Sequence, residues 1–292
     1  MVDSKLASIR IAALAAILAG TAWQPVRAEE TAAQHASDST RCTRSTFRVL
    51  VDVGHTAASP GAESARGVLE YDFNLKLADV ITQSLHEAGF DKTVRLVTSG
   101  KRLRSLFQRA ASANHLHADL FLSIHHDSVP DNLKERWDYE GKKKYYSDRF
   151  SGYAIFVSND NSDSGGSLTF GHLLGQELQK RGLHYTPHYT LPVMGRYRHK
   201  LVDPEAGVYR YDHLIVLHST LMPAVLLEAG SIVNRQEELE LATSERRLIV
   251  AEAVTAAVED FCATRGQPVA GRPAGPSVAE PGERVRPASM SR

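Results

Sequence analysis

Cysteine is scarce in this sequence, with two residues in 292, and neither sign of charge is in excess: 34 basic residues face 34 acidic ones. Balanced charge leaves no electrostatic case for nucleic acid, which calls for a concentrated basic face. Long hydrophobic runs are also missing. The longest, Ile11 to Trp23, holds 13 residues, short of the ~20 that span a bilayer. No internal repeat is visible. What remains is 42% hydrophobic and 23% charged residues, the composition of a soluble globular chain and not of a fully disordered one. The length allows one or two domains.

The two ends differ from the middle. Residues 1–28 have a basic start (Lys5, Arg10), the apolar stretch 11–23, and Val26-Arg27-Ala28 with small residues at −3 and −1, the signature of an export signal. The expected location is therefore periplasmic or secreted. Without 1–28 the chain keeps 31 basic and 33 acidic residues. Residues 29–45 lack apolar periodicity and read as a flexible lead-in. Residues 264–292 hold Pro268, Pro273, Pro276, Pro281 and Pro287 among alanine, glycine and arginine, a composition that cannot bury a core. Cys42 and Cys262 lie at opposite ends of the folded unit 46–263. In an oxidising compartment they suit a disulfide; the alternative is two free thiols, one buried in the last helix.

Within 46–263, strands and helices alternate. Apolar runs at 47–53, 93–98, 119–124, 153–157, 213–217 and 224–227 read as strands. Helical spacing marks 71–88, 103–116, 168–181 and 244–263, the first and third stopped by Gly89 and Gly182. The pattern predicts a single α/β domain with a mostly parallel, twisted sheet flanked by helices on both faces.

Such sheets bind ligands beyond the carboxyl ends of their strands. Here three strand ends deliver ionisable residues: His55 after FRVLVDVG, His125 and His126 after LFLSI, and Glu228 after AVLL. Glu70 opens the first helix. Two histidines and a carboxylate form a common catalytic zinc shell with one open position. Zinc brings the pKa of water down to about 7, and a separate carboxylate must move the proton to the leaving group. His55, Glu70 and His125 supply the shell for one Zn2+ per chain, and Glu228 the base. The spacing H-x14-E-x54-H is not a compact zinc motif; strand-end placement is what selects it.

At these residues the sequence resembles the zinc-dependent N-acetylmuramoyl-L-alanine amidases, the amidase 3 family of cell-wall hydrolases. VDVGH (51–55), SPGA (59–62), G-x-x-E (67–70), R-x-x-x-A-N (109–114), ADLFLSIHHDS (118–128) and PAVLLEAGSIVN (223–234) occur in the family's order. The resemblance implies cleavage of the amide between N-acetylmuramic acid and the L-alanine of the peptidoglycan stem peptide. It places the metal ligands on His55, Glu70 and His125 and the catalytic glutamate on Glu228. Thr56 and Ala57 stand where the family commonly has glycines, Ser231 where an aromatic is common, and Val233 where serine is common.

The neighbouring residues have plainer expected roles. His126 alternates to the face opposite His125, which suits solvent or support of a ligand more than ligation. Asp127 suits orienting a metal-bound histidine or capping the following turn. Arg109 suits fixing its helix to the adjacent loop. His172, His184, His188, His199, His213 and His218 read as surface or packing residues. Residues 129–151 mix lysines and arginines with Trp137, Tyr139, Tyr145 and Tyr146, and read as a long polar insertion without regular structure: a mobile flap over the cleft or, alternatively, a solvated surface excursion. In some members of the resembled family an inserted segment blocks the site until a partner displaces it, so the resemblance extends to an activator protein acting on 129–151. Two rival readings share the residues: another exported zinc hydrolase (a peptidase or deacetylase acting on cell-wall fragments) and a catalytically silent wall-binding module, against which the complete four-residue set argues.

Overall fold

The protein is described by a computed structural model over residues 42–265. The expectations for the export signal, for most of the lead-in and for nearly all of the proline-rich tail lie outside the described residues.

Nine strands form among the described residues: β1 (Val49–Val53), β2 (Val94–Leu96), β3 (Leu120–Asp127), β4 (Glu135–Tyr139), β5 (Lys142–Tyr146), β6 (Ala154–Val157), β7 (Lys200–Asp203), β8 (Val208–Arg210) and β9 (Ala224–Ser231). Seven make one sheet in the order β2-β1-β3-β9-β6-β8-β7, and β4 and β5 make a separate hairpin. In the sheet, β6 on β9 and β7 on β8 are antiparallel and the other four pairs are parallel. The helices are α1 (Glu70–Glu87), α2 (Arg102–His115), α3 (Ser164–Lys180), the one-turn α4 (Ile215–His218), α5 (Glu237–Leu241) and α6 (Ser244–Arg265).

Alternation along the strands divides the core in two. Val49, Val51 and Val53 join Leu122, Leu227 and Val254 of α6 in one cluster. Leu50, Phe121 and Leu226 join Ala113 of α2 and Leu217 of α4 in the other. Both faces of the central strands are buried, which is why they read as unbroken apolar runs. Asp52 is the exception in β1, and it returns below.

Three readings change. Residues 213–217 do not form a strand: Val216 and Leu217 are buried within the one-turn α4, and a short apolar run carries no periodicity to separate the two cases. α3 starts at Ser164 instead of Leu168, because the Asp163 side chain accepts a hydrogen bond from Gly166 N at 2.9 Å and caps a turn that glycines would otherwise disfavour. The 129–151 segment is not irregular. β4 and β5 pair in register from Glu135↔Tyr146 to Tyr139↔Lys142, joined through Glu140 and Gly141, both at positive φ, the two-residue turn that suits strand twist. The hairpin is docked on the body. Trp137 Nε1 donates to Ala65 O at 3.0 Å. The guanidinium of Arg66 sits 5.5 Å from the Trp137 ring, and that of Arg235 lies 3.7 Å from the Tyr146 ring.

The structure joins Cys42 and Cys262, with Cα atoms 5.2 Å apart and a sequence separation of 220. The bridge ties the segment before β1 to the end of α6. Intact mass under non-reducing conditions should fall short of the dithiol form by two hydrogens. Cys262→Ser should lower stability by on the order of 5 kcal/mol at most, the chain-entropy value for so long a loop; a melting temperature unchanged by reductant would refute the bridge. For the hairpin, Trp137→Ala removes the ring that Arg66 and Arg235 cover, so trypsin should cut at Lys142–Lys144 faster in the variant while the sheet keeps its far-UV spectrum. Equal cleavage rates would show that Trp137 does not anchor it.

Candidate active site

His55 follows β1 by two residues, after Gly54. A Cβ at Gly54 would lie 2.5 Å from His125 Nε2 and 2.5 Å from Ile124 O, so only glycine lets β1 end this close to β3. His55 itself has φ 68°, a left-handed conformation that costs a non-glycine residue about 1–2 kcal/mol. It is held there by Arg109 of α2, whose Nη2 donates to His55 O at 2.6 Å. Arg109 is buried and lies 3.4 Å from Asp52 Oδ1, and Asp52 accepts from Ser123 Oγ at 2.7 Å. Burial pushes Asp52 up to about 6 despite Arg109 and Ser123. Arg109 thus fixes its helix to the adjacent loop, through the backbone of His55. Thr56 is buried and donates to Gly100 O at 2.7 Å.

Glu70, the first residue of α1, gathers the rest. Its Oε2 lies 3.0 Å from His55 Nε2 and accepts from Ala62 N at 3.0 Å. Its Oε1 lies 2.9 Å from His125 Nδ1 and accepts from Asn74 Nδ2 at 3.2 Å. Potential ligand atoms of His55, Glu70 and His125 all lie within 4.8 Å of one another. Burial opposes charge on Glu70, but hydrogen bonds from His125 and His55 outweigh it and hold the carboxyl well below its ordinary range. Burial pushes His125 down to about 4, against the pull of Glu70. Neutral imidazole and ionised carboxylate are the forms that ligate a divalent cation.

Glu228 sits directly beside His125, its register partner across β3 and β9. Its Oε2 is buried without a hydrogen-bond partner. Burial, then Asp127 and Glu70, push its carboxyl well above the ordinary range. An unpartnered carboxylate oxygen next to two more acids is an environment that a bound cation would relieve. On these observations the residues fit a zinc ion.

The remaining expectations resolve individually. His126 is buried, not solvated; its Nδ1 lies 2.8 Å from Asn74 Oδ1, so it braces the asparagine that donates to Glu70. Asp127 does not touch His125. It accepts from Ser128 N and from Tyr189 OH, both at 2.7 Å, and its Oδ2 is 3.4 Å from His188 Nε2. Burial raises it to about 7. Of the histidines expected at the surface or in packing, His188 is a packing residue buried against Asp127, and His199 also lines a cavity of about 420 Å³ with Tyr189, Glu228 and His125. Asn74 was missed although it lies one helical turn after Glu70, a spacing at which side chains meet. Tyr189 carried no sequence signal, since its partner is 62 residues away. No residue of the hairpin 135–146 lines that cavity; only its base, Ser128 to Asp131, does.

Known proteins resemble this chain in sequence and in fold. The chain is 28% identical over 233 residues to N-acetylmuramoyl-L-alanine amidase AmiA of Salmonella typhimurium, covering 75% of this chain and 78% of the relative. It is 27% identical over 226 residues to AmiA of Escherichia coli, covering 73% and 75%. Its fold is similar to that of the amidase Ami1 from Mycobacterium smegmatis (TM-score 0.56, 18% identity, 75% of this chain and 98% of that one). It is also similar to the CwlD amidase of Clostridioides difficile, solved in complex with the GerS lipoprotein (TM-score 0.53, 18% identity, 74% and 98%). The sequence profile of Amidase_3, described as N-acetylmuramoyl-L-alanine amidase, matches residues 49–260. That span opens with β1, closes inside α6 and takes in every strand between, and the chain belongs to this family.

Proposed function

We propose that this chain is an exported, zinc-dependent hydrolase that cleaves the amide between the lactyl group of N-acetylmuramic acid and the L-alanine of the peptidoglycan stem peptide. The observation that carries the reading is the convergence of His55, Glu70 and His125 within 4.8 Å, with Glu228 the register neighbour of His125. Membership of the family supplies the bond. Support for export comes from residues 1–28 and from the pairing of Cys42 with Cys262; no helix among the described residues is long and apolar enough to cross a membrane.

His55, Glu70 and His125 would hold the zinc, which when bound supplies Lewis acidity and makes water ionisable near neutral pH. Glu228 takes the proton of the attacking water. As the carbon–nitrogen bond breaks, Glu228 returns that proton to the departing amine of L-alanine. Asn74, Ala62 N and the His126 amide keep the Glu70 carboxylate from rotating. Arg109 keeps His55 in its strained backbone conformation, and Leu226 with Phe156 limits water around Glu228. The hairpin β4–β5 is the segment through which an activating partner would act, because its base forms one wall of the cavity.

Zinc-loaded protein incubated with purified peptidoglycan should release stem peptides that begin with L-alanine, and a chelator should stop the release. Cleavage elsewhere in the stem, or loss of acetate alone, would favour the peptidase or deacetylase reading. Glu228→Gln should bind zinc as the parent does and lose most turnover, at least 10²-fold as for removal of a general base; His55→Ala should lose zinc itself. An active Glu228→Gln enzyme would sink the assignment. Arg109→Met leaves the metal ligands in place but frees the His55 carbonyl. Zinc affinity, read by competition with a chromogenic chelator, should drop by roughly 10–100-fold, as for other groups that orient ligands, with partial recovery in Arg109→Lys.

A further inference from the structure

Two cavities flank the histidine–glutamate cluster, and their charges are segregated. The first, of about 420 Å³, is walled by aromatic residues including Phe156, Tyr189, Tyr197 and Tyr211. Its lining contains the carboxylates Glu228 and Asp131 and no lysine or arginine. The second, of about 280 Å³, is lined by His55, Ser59, Arg102 and Arg109 among others, and by no carboxylate. The cavities share His125, Leu214 and Leu226, so a molecule cut at the metal cluster reaches into both. Of the two arginines, Arg109 is buried and committed to His55 O and Asp52. Arg102 is exposed, it lines this cavity, and its backbone N–H bonds Ser59 Oγ at 3.2 Å, while its guanidinium is not engaged in an ion pair with any of the described residues. Lys101 and Arg104 flank it, and the first turn of α2 holds no acidic residue.

The two halves of a muramoyl-peptide differ in the same way. The carboxyl of muramic acid is consumed in the amide, so the sugar half is neutral. A stem peptide that is not cross-linked ends in a carboxylate. A carboxylate placed in the first cavity would meet Glu228 and the negative faces of aromatic rings, with no lysine or arginine in the lining; the second acid, Asp131, is already paired with Lys134 at 3.0 Å. A pyranose ring presents polarised C–H bonds to those same faces, which attracts it. In the second cavity a carboxylate finds a guanidinium able to make two parallel hydrogen bonds.

We propose that Arg102 is the residue that recognises a carboxylate of the stem peptide, and that the aromatic cavity beside Glu228 receives the neutral muramoyl half. The inference rests on the amidase reading above and gives it a direction: peptide toward α2, glycan toward β6 and β8.

Two soluble muramoyl-dipeptides that differ only at the peptide end, one with free carboxylates and one with carboxamides, test it. The parent enzyme should show a KM about tenfold lower for the carboxylate form, the size expected of one charged hydrogen-bonded contact. Arg102→Gln should abolish that preference by raising KM for the carboxylate form, and Arg102→Lys should restore part of it. Tyr197→Ala should raise KM for both forms alike. An Arg102→Gln enzyme that keeps the preference overturns the proposal, and so does a Tyr197→Ala enzyme that loses it. The failure of the broader reading looks different: a parent enzyme that releases no L-alanine-terminated product from either compound removes the amidase assignment, and this inference with it.

Discussion

The Glu70 carboxylate has five partners drawn from four stretches of chain: His55 after β1, Ala62 in the following loop, Asn74 within α1, and both His125 and the His126 amide in β3. Almost every unusual feature near the site serves this one group. Gly61, at φ 81°, leaves the space that a side chain would take from the Glu70 carboxylate and the His55 ring. Gly54 does the same for His125. His126 spends its side chain on Asn74, which passes a hydrogen bond to Glu70. An ionised carboxylate this deeply buried costs several kcal/mol unless such partners surround it, so a change at any of these positions should be felt at the histidine–glutamate cluster. His55, Glu70 and His125 would hold a cation, whose charge would add to the set of partners around Glu70.

Much of this was legible in the sequence for a topological reason. A parallel sheet aligns its strand ends on one edge, so residues that follow apolar runs are brought together whatever their separation. His55, His125 and Glu228 could be chosen before any coordinate because β1, β3 and β9 are buried on both faces and read as unmistakable strands. Glu70 followed from its place at the start of an amphipathic helix. The sheet order and the antiparallel entry of β6 and β7 could not be read, since they depend on long-range pairing.

What escaped the reading shares a different cause. The hairpin β4–β5 carries Trp137, Tyr139 and Tyr146 on one face among charged residues, and these aromatic residues find their partners in Arg66 and Arg235, roughly 70 to 100 positions away along the chain. Nothing local distinguishes such a docked hairpin from an irregular insertion, and the Glu140-Gly141 turn is a weaker signal than Asn-Gly. The one-turn α4 is an apolar run of a length that suits strand and helix equally. Asp127 illustrates the same limit at the site. Its position beside the ligand strand pointed to His125, but the side chain turns to Tyr189 and His188, contributed by a segment about sixty residues later.

That turn of Asp127 bears on how the site keeps its acids apart. Glu70, Asp127 and Glu228 are close enough to raise one another, yet each is handled differently. Glu70 is ionised by its hydrogen bonds, Asp127 is pushed up to about 7 by burial while Tyr189 and Ser128 hold one oxygen, and Glu228 is left with an oxygen that nothing satisfies. Environments that drive neighbouring carboxyls to different affinities for protons separate ligand from base within one cluster. Asp127 Oδ2 and Glu228 Oε2 are both buried without a hydrogen-bond partner, so what separates these two acids is where each one faces. Glu228 lines the aromatic cavity beside His125, a cavity whose lining holds no lysine or arginine, whereas Asp127 is absent from that lining and turned toward Tyr189 and His188.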